Sequence, residues 1–359
     1  MKNKTIMANV LSITLLVLII SCAENPKIHY EKWSEKEVNE WYNKVGWSSG
    51  TNFVPSTAIN QLEMWQADTF DPITIERELG WAKELGFNAM RVYLHNLAWE
   101  SDSEGYKKRI NKYLEIAESK GIRTIFVFFD DCWNDNPKAG KQPDPIPGVH
   151  NSGWIQGPGS VIVNDSTKWK NLELYVKDIL NSFGSDKRIL LWDLYNEPGN
   201  TGQINKSLPL LKKVFVWARE AGSSQPVSVA VWNYSQEFDS LNSFSLKNSD
   251  VITFHQYSNV DDVKQIVKDL RKYNRPLICT EYMARTNNSK FETHFPYFKS
   301  ENIGCISWGL VSGKSQTIYP WGSKEGSPEP EIWFHDIYRS DGSPFDSGEI
   351  KLIKEITQK

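Results

Sequence analysis

From about residue 50 onward, short apolar runs alternate with longer stretches in which apolar residues recur every three or four positions. The short runs predict β-strands and the longer ones amphipathic helices. Gly50–Val54 predicts a first strand, and Pro72 to Gly86 a helix whose apolar faces come from Ile73, Ile75, Leu79, Trp81 and Leu85. Asn88–Leu94 predicts the second strand, Tyr106–Lys120 a helix stopped by Gly121, and Arg123–Phe129 the third strand. The pattern resumes with a helix over Thr167–Phe183, the fourth strand over Ile189–Tyr195 and a helix over Leu208–Ala221. Val227–Val231 and Val251–Phe254 are the fifth and sixth strands, followed by a helix over Asp261–Tyr273. Pro276–Thr280 is the seventh strand, Phe291–Lys299 a shorter helix, and Ile303–Trp308 the eighth strand. A last helix is expected over Ser347–Ile356.

Strands that alternate with helices pair in parallel through right-handed crossovers, and eight such units close into a (β/α)8 TIM barrel. The fold class is therefore α/β, as one barrel domain. A doubly wound open sheet would want a glycine-rich phosphate loop after its first strand, and the sequence offers none there. The expected division is a signal peptide over residues 1–21, a lipidated tether and lead-in over 22–40, and the barrel over 41–359. Between the third strand and the next helix runs a Pro-, Gly- and Asp-rich loop from Asp130 to about Asp165. Loops of that length are as a rule functional or disordered. Trp133, Trp154 and the Gly157-Pro-Gly159 turn favour an ordered loop over a site.

At the N-terminus, Lys2 and Lys4 precede the apolar stretch Val10–Ile20 and then Ser21-Cys22. A basic start, a short apolar region and a small residue at the cut describe a secretory signal. The order Ile19-Ile20-Ser21-Cys22 resembles a bacterial lipobox, which implies cleavage before Cys22, lipidation of its thiol, and a tether from Ala23 to Ile28. The alternative is an uncleaved anchor. The expectation is an exported bacterial lipoprotein of the outer membrane, on its periplasmic face or at the cell surface, with the membrane as a partner.

Composition narrows the classes further. The chain has 359 residues, 40% hydrophobic and 24% charged, an ordinary globular balance. A net charge of −3 gives no cationic field for nucleic acid. Fifteen tryptophans and fourteen tyrosines suit either core packing or the flat C–H faces of sugar rings. Beyond Cys22 there are Cys132, Cys279 and Cys305, an odd number that cannot all pair within one chain. Cys279 and Cys305 fall on neighbouring predicted strands, either bridged or, as the simpler reading, buried as small hydrophobes. The six histidines show no metal-ligand spacing and Asp130-Asp131 alone is a thin calcium signal, so no metal or other cofactor is expected. Gly46-Trp-Ser48-Ser-Gly50 fits a nucleophile-elbow pattern but precedes the first strand. Nothing in the sequence calls for a partner chain.

In a barrel of this kind, chemistry is built where the strands end. Glu197, in Leu-Tyr-Asn-Glu-Pro, ends the fourth strand, and Glu281, in Leu-Ile-Cys-Thr-Glu-Tyr, ends the seventh. Two carboxylates so placed are the equipment for cutting a glycosidic bond. Arg91, Asn196, His255, Tyr257 and Trp308 stand at strand ends beside them. This set resembles the retaining glycoside hydrolases of clan A, closest to glycoside hydrolase family 5, the cellulase and mannanase family, over nearly the whole mature chain. The resemblance implies Glu197 as general acid/base and Glu281 as nucleophile. It implies Arg91 holding the nucleophile, Asn196 at the sugar 2-hydroxyl, Tyr257 beside the nucleophile, His255 lining the pocket and Trp308 as the platform at subsite −1.

A histidine is expected just after strand three in that family, but this chain has Phe129-Asp130-Asp131-Cys132-Trp133. Asp130 or Asp131 is expected to hold a sugar hydroxyl in its stead, with Trp133 nearby. Asn52, Trp65, Trp154, Trp232 and Trp321 are subsite positions or packing. The implied activity is double-displacement hydrolysis of a β-linked oligo- or polysaccharide. Endo action on β-glucan or β-mannan comes first, exo action or a xylan next. The rivals are a carbohydrate-binding barrel lipoprotein without turnover and a transglycosylase.

Overall fold

The alternating pattern is realised as eight strands in one parallel sheet: β1 (Ser49–Asn52), β2 (Ala89–Tyr93), β3 (Arg123–Val127), β4 (Ile189–Asp193), β5 (Val227–Ser228), β6 (Ile252–His255), β7 (Leu277–Tyr282) and β8 (Gly304–Trp308). The computed structural model describes residues 26–358. The strands follow one another in chain order around the sheet, with β1 paired to both β2 and β8. The ring closes where Val231 N–H donates to Thr253 O at 3.1 Å and His255 N–H to Val231 O at 2.9 Å. This is the expected (β/α)8 barrel.

Helices over Pro72–Glu84, Ser103–Ser119, Trp169–Phe183, Leu208–Ala221, Asp239–Asn248, Val260–Leu270 and Phe291–Ser300 form the outer layer, and Ser347–Thr357 closes the chain. Local signals set their ends. Asp71 accepts from the Thr74 N–H ahead of Pro72, and Asn259 accepts from Asp261 and Asp262 N–H. Each side-chain cap satisfies a donor that has no partner inside its helix. The main core lies between strands and helices, with Trp65, Phe126, Phe128, Tyr175 and Trp192 among its fully buried side chains.

Two departures matter for the site. β5 is only two residues long because Ser249 Oγ, rather than a neighbouring strand, receives the Val229 N–H. β7 runs past Thr280 to Tyr282, and a register shift in its pairing with β6, between Phe254 and His255, places Glu281 opposite His255.

The helix Glu35–Val45 was not anticipated. It opens on a capping box, with Ser34 and Glu37 exchanging hydrogen bonds. Its Val38 and Tyr42, with Trp33, pack against Ala89, Ile125, Leu190 and Ile278, and His29 pairs with Ser223. Residues 29–40 are thus docked on the barrel. The expected signal peptide over residues 1–21 and Cys22 lie outside the described residues. Cys132, Cys279 and Cys305 are all free and buried, and Cys279 and Cys305 face each other in register as unbridged thiols. Among the described residues no helix is long and apolar enough to cross a membrane.

Candidate active site

Arg91 organises the mouth of the barrel. It stands on β2 with its side chain fully buried. Burial of a guanidinium is tolerable only with charge and hydrogen-bond partners on every side. Its Nε and Nη2 donate to Asp193 Oδ2 at 3.0 and 2.8 Å, and its Nη1 to Glu281 Oε1 at 2.8 Å. Nη1 also reaches Asn52 Oδ1 at 2.8 Å, and Nη2 reaches Asn196 Oδ1 at 2.7 Å. Four strands are thereby tied to one cation.

Glu281 has two further donors. Tyr93 O–H reaches Oε1 and Tyr257 O–H reaches Oε2, each at 2.8 Å. Burial pushes both phenols well above their ordinary range, so they remain donors at any working pH. Glu281 is thus held by three donors, one of them a cation, and it lines a cavity at the mouth of the barrel.

Glu197 is built differently. It follows β4 with φ +42°, a left-handed conformation that an ordinary side chain adopts only under tertiary constraint. Its Oε1 lies 2.8 Å from His255 Nδ1, and its Oε2 accepts from Asn200 Nδ2 at 2.5 Å and from the Cys132 thiol at 3.2 Å. No cation contacts it among the described residues. Burial raises its pKa, and the thiol and Asn200 only partly oppose that. Burial also pushes the His255 imidazole down to about 4, so it is neutral at pH 7 and adds no positive charge. One carboxylate held by a cation and one whose protonated form is favoured by burial are the division of labour that acid-and-nucleophile chemistry needs.

The two are close. An oxygen of Glu197, an oxygen of Glu281 and a ring nitrogen of His255 all lie within 4.8 Å of one another. Retaining glycosidases hold their carboxyls about 5–5.5 Å apart, whereas inverting enzymes need about 6.5–9.5 Å to admit a water. The same three groups are near enough to reach a single cation, but Arg91 already supplies the counter-charge to Glu281.

The pair opens into a cavity of about 650 Å³, within the roughly 300–1,000 Å³ of small-ligand sites. Asn196, His255, Tyr257, Trp308 and Trp133 line it, as the sequence leads one to expect. Trp154, Trp232 and Trp321 line it too, while Asn52 and Trp65 do not. Asn52 is spent on Arg91 and on the Thr280 and Ser307 carbonyls, and Trp65 is core.

One expectation is corrected. Asp130 and Asp131 do not reach the cavity. Asp130 is 2% exposed and accepts from Trp154 Nε1 at 2.7 Å, Asn196 Nδ2 at 2.9 Å and Cys132 N–H at 2.9 Å. Asp131 accepts from Tyr195 O–H, Gly199 N–H and Ser207 O–H. Burial lifts both carboxyls to about 6. They brace the site from beneath, and the residue that emerges into it after β3 is Cys132. Its thiol is pushed well up by burial and the surrounding carboxylates, which favours the neutral thiol over the thiolate.

Tyr93, Cys132, Asp193, Asn200 and His335 were not anticipated. Tyr93 had a signal, since it stands two residues after Arg91 on one strand and so shares its face. His335 arrives from the tail after β8, where no periodicity marks it.

Residues 48–314 match the family model "Cellulase (glycosyl hydrolase family 5)". Among solved structures, the chain is similar to a GH5_18 enzyme from Streptomyces cattleya in complex with Manβ1-4GlcNAc, at 9% identity and TM-score 0.60, covering 87% of this chain and 80% of that one. It is similar to the endo-1,4-β-D-mannanase of Thermotoga petrophila, at 14% identity and TM-score 0.55, covering 87% and 99%. It is also similar to the exo-β-1,4-mannosidase Op5Man5 from an Opitutaceae bacterium, at 15% identity and TM-score 0.58, covering 87% and 59%. At such identities these likenesses speak to the fold. A comparison with curated proteins finds no match. The family match spans most of the barrel and both glutamates, and on that ground the chain belongs to the cellulase family, glycosyl hydrolase family 5, and is a glycoside hydrolase.

Proposed function

We propose that this enzyme hydrolyses a β-linked glycan of the mannan or glucan type with retention of configuration. The observation that carries the reading is the approach of Glu197 to Glu281 within 4.8 Å, with Arg91 on one and not the other. Glu197 gives its proton to the glycosidic oxygen while a Glu281 oxygen bonds to the anomeric carbon and the C–O bond breaks. The ionised Glu197 then takes a proton from water, whose oxygen displaces Glu281 and restores both carboxyls. Tyr257 and Tyr93 hold Glu281 in line throughout.

A mannan-type substrate draws support from the names borne by similar structures, a mannanase, a mannosidase and a Manβ1-4GlcNAc complex. The cavity's aromatic lining suits the C–H faces of either sugar. The test is NMR of the first product formed from aryl β-mannosides, β-glucosides and a panel of other β-glycosides. The β-anomer is expected to appear first. An α-anomer would overturn retention, and an inert enzyme across the panel would overturn hydrolysis.

We also propose that the protein is an exported lipoprotein held through Cys22. Labelled palmitate should enter the wild type and not Cys22→Ala. Equal labelling of both would remove the anchor.

A further inference from the structure

The loops around the cavity are not equally free. The long loop after β3 and the loop after β8 are joined along their lengths. Asn151 N–H donates to Ser315 O at 2.9 Å, and Gly326 N–H to Pro147 O at 2.9 Å. His150 N–H donates to Ser323 Oγ at 2.9 Å, and its Nδ1 meets Tyr319 O at 2.7 Å. Gln316 reaches across with both ends of its amide, accepting from Gly148 N–H at 3.0 Å and donating to Ile146 O at 2.7 Å. At Gly148 a Cβ would come within 2.6 Å of the Ser327 backbone, so the two chains touch there with no room for a side chain.

The segment after β1 completes the wall. Asn60 Nδ2 donates to Gly153 O at 2.9 Å, and Lys314 N–H donates to Ser56 O at 3.0 Å. Three loops are thus locked into one bridge on the side of the barrel where β8, β1, β2 and β3 end.

The acid fixes which end of a bound glycan this bridge closes. Glu197 must sit at the glycosidic oxygen, so the departing part of the substrate lies on its side of the site, over β4 and β5. Asn200, Thr201 and Trp232 line the cavity there. The sugar attacked by Glu281 then has its non-reducing end toward the bridge.

Within the bridge, Asn151 has an unspent group. It lines the cavity, is 2% exposed, and its Oδ1 is buried without a hydrogen-bond partner among the described residues. A buried amide oxygen left unpaired is unfavourable, and a sugar hydroxyl would satisfy it.

We propose that the bridge makes this an exo-acting enzyme, releasing one sugar at a time from non-reducing ends, with Asn151 accepting a hydroxyl of that terminal sugar. The inference rests on the glycosidase reading and sharpens it. A sugar chain continuing past the attacked unit would have to pass through the joined loops.

Two experiments test it, and they separate its failure from that of the underlying reading. A panel of aryl β-glycosides and β-linked oligosaccharides first identifies the sugar; if none is cleaved, both readings fall. Oligosaccharides of that sugar, labelled at the reducing end, are then sized at early conversion. Free monosaccharide and a labelled product one unit shorter are expected. Labelled products shortened by two or more units from the outset would overturn exo action and leave hydrolysis standing.

The second experiment compares Asn151→Ala with the wild type on the accepted aryl glycoside and on its mono-deoxy analogues. Loss of one hydroxyl should lower wild-type kcat/KM about tenfold or more, and Asn151→Ala should be nearly indifferent to that same loss. A variant that falls by one common factor on every analogue would show Asn151 to be structural only.

Discussion

The sulfur of Cys132 lies 3.2 Å from Oε2 of Glu197, so the carboxyl proposed as proton donor has a thiol for a neighbour. The thiol stays neutral, because burial and the surrounding carboxylates push its pKa well up. It therefore donates to Glu197 and favours the charged form of that carboxyl, partly opposing the burial that raises it. Cys132→Ala removes the opposing effect. The alkaline limb of kcat/KM reports loss of the acid's proton, and it should move to higher pH in this variant. Cys132→Ser, which keeps a donor, should restore most of the wild-type profile. A limb that stays put in Cys132→Ala would mean that the thiol does not tune the acid.

Since burial already lifts Glu197, the wild-type alkaline limb should lie above the ordinary carboxylate range. Glu197→Gln should abolish that limb and lower kcat on poor leaving groups by about 10²–10⁴-fold. On a dinitrophenyl glycoside, whose leaving group needs no proton, the first step should be largely spared. Equal losses on both substrates would take the acid role from Glu197.

Arg91→Met should destabilise the fold as well as silence the enzyme. The substitution strands Asp193, which is fully buried, and deprives Glu281 of its cation. Breaking one side of a buried ion pair costs about 3–5 kcal/mol. Urea titration followed by tryptophan fluorescence should show a midpoint well below that of the wild type. An unshifted midpoint would mean that water relieves the orphaned carboxylates.

Asp130→Asn tests the bracing beneath the cavity. Asp130 accepts from Asn196, Trp154 and Cys132 at once, and an amide has one acceptor oxygen where the carboxylate has two. At least one of the three loses its partner, at about 1–3 kcal/mol. If that loss falls on the transition state, kcat/KM drops about tenfold to a hundredfold while the secondary structure by circular dichroism is unchanged. Unaltered kinetics would show Asn196 and Trp154 to be held by packing alone.

The barrel and the meeting of Glu197 with Glu281 were legible because each rests on local chemistry. Apolar runs at regular spacing make buried parallel strands, and Asn196-Glu197-Pro198 and Glu281 stand where those runs stop. Arg91 could be placed for the same reason. What escaped was set by contacts between distant segments. Asp130 and Asp131 stand where the resembled family carries a histidine, which makes either look like a sugar ligand. Their direction into the protein is decided by Trp154, Asn196, Tyr195 and Ser207, which the sequence does not bring near. The bridge between the β3 and β8 loops consists largely of backbone hydrogen bonds and single amides, which have no periodicity to betray them. The helix Glu35–Val45 carried a legible capping box at Ser34 and Glu37, but it stood in a stretch taken for a lead-in.

That helix has one more consequence. Asn39 bonds the carbonyl of Asn274, Tyr42 that of Asn302, and Arg275 that of Trp33, all in turns that enter strands β7 and β8 rather than leave them. The polypeptide therefore joins the barrel at the pole opposite its catalytic opening. The lipid proposed at Cys22 would hold the barrel from that rear pole and leave the opening beside Glu197 and Glu281 uncovered.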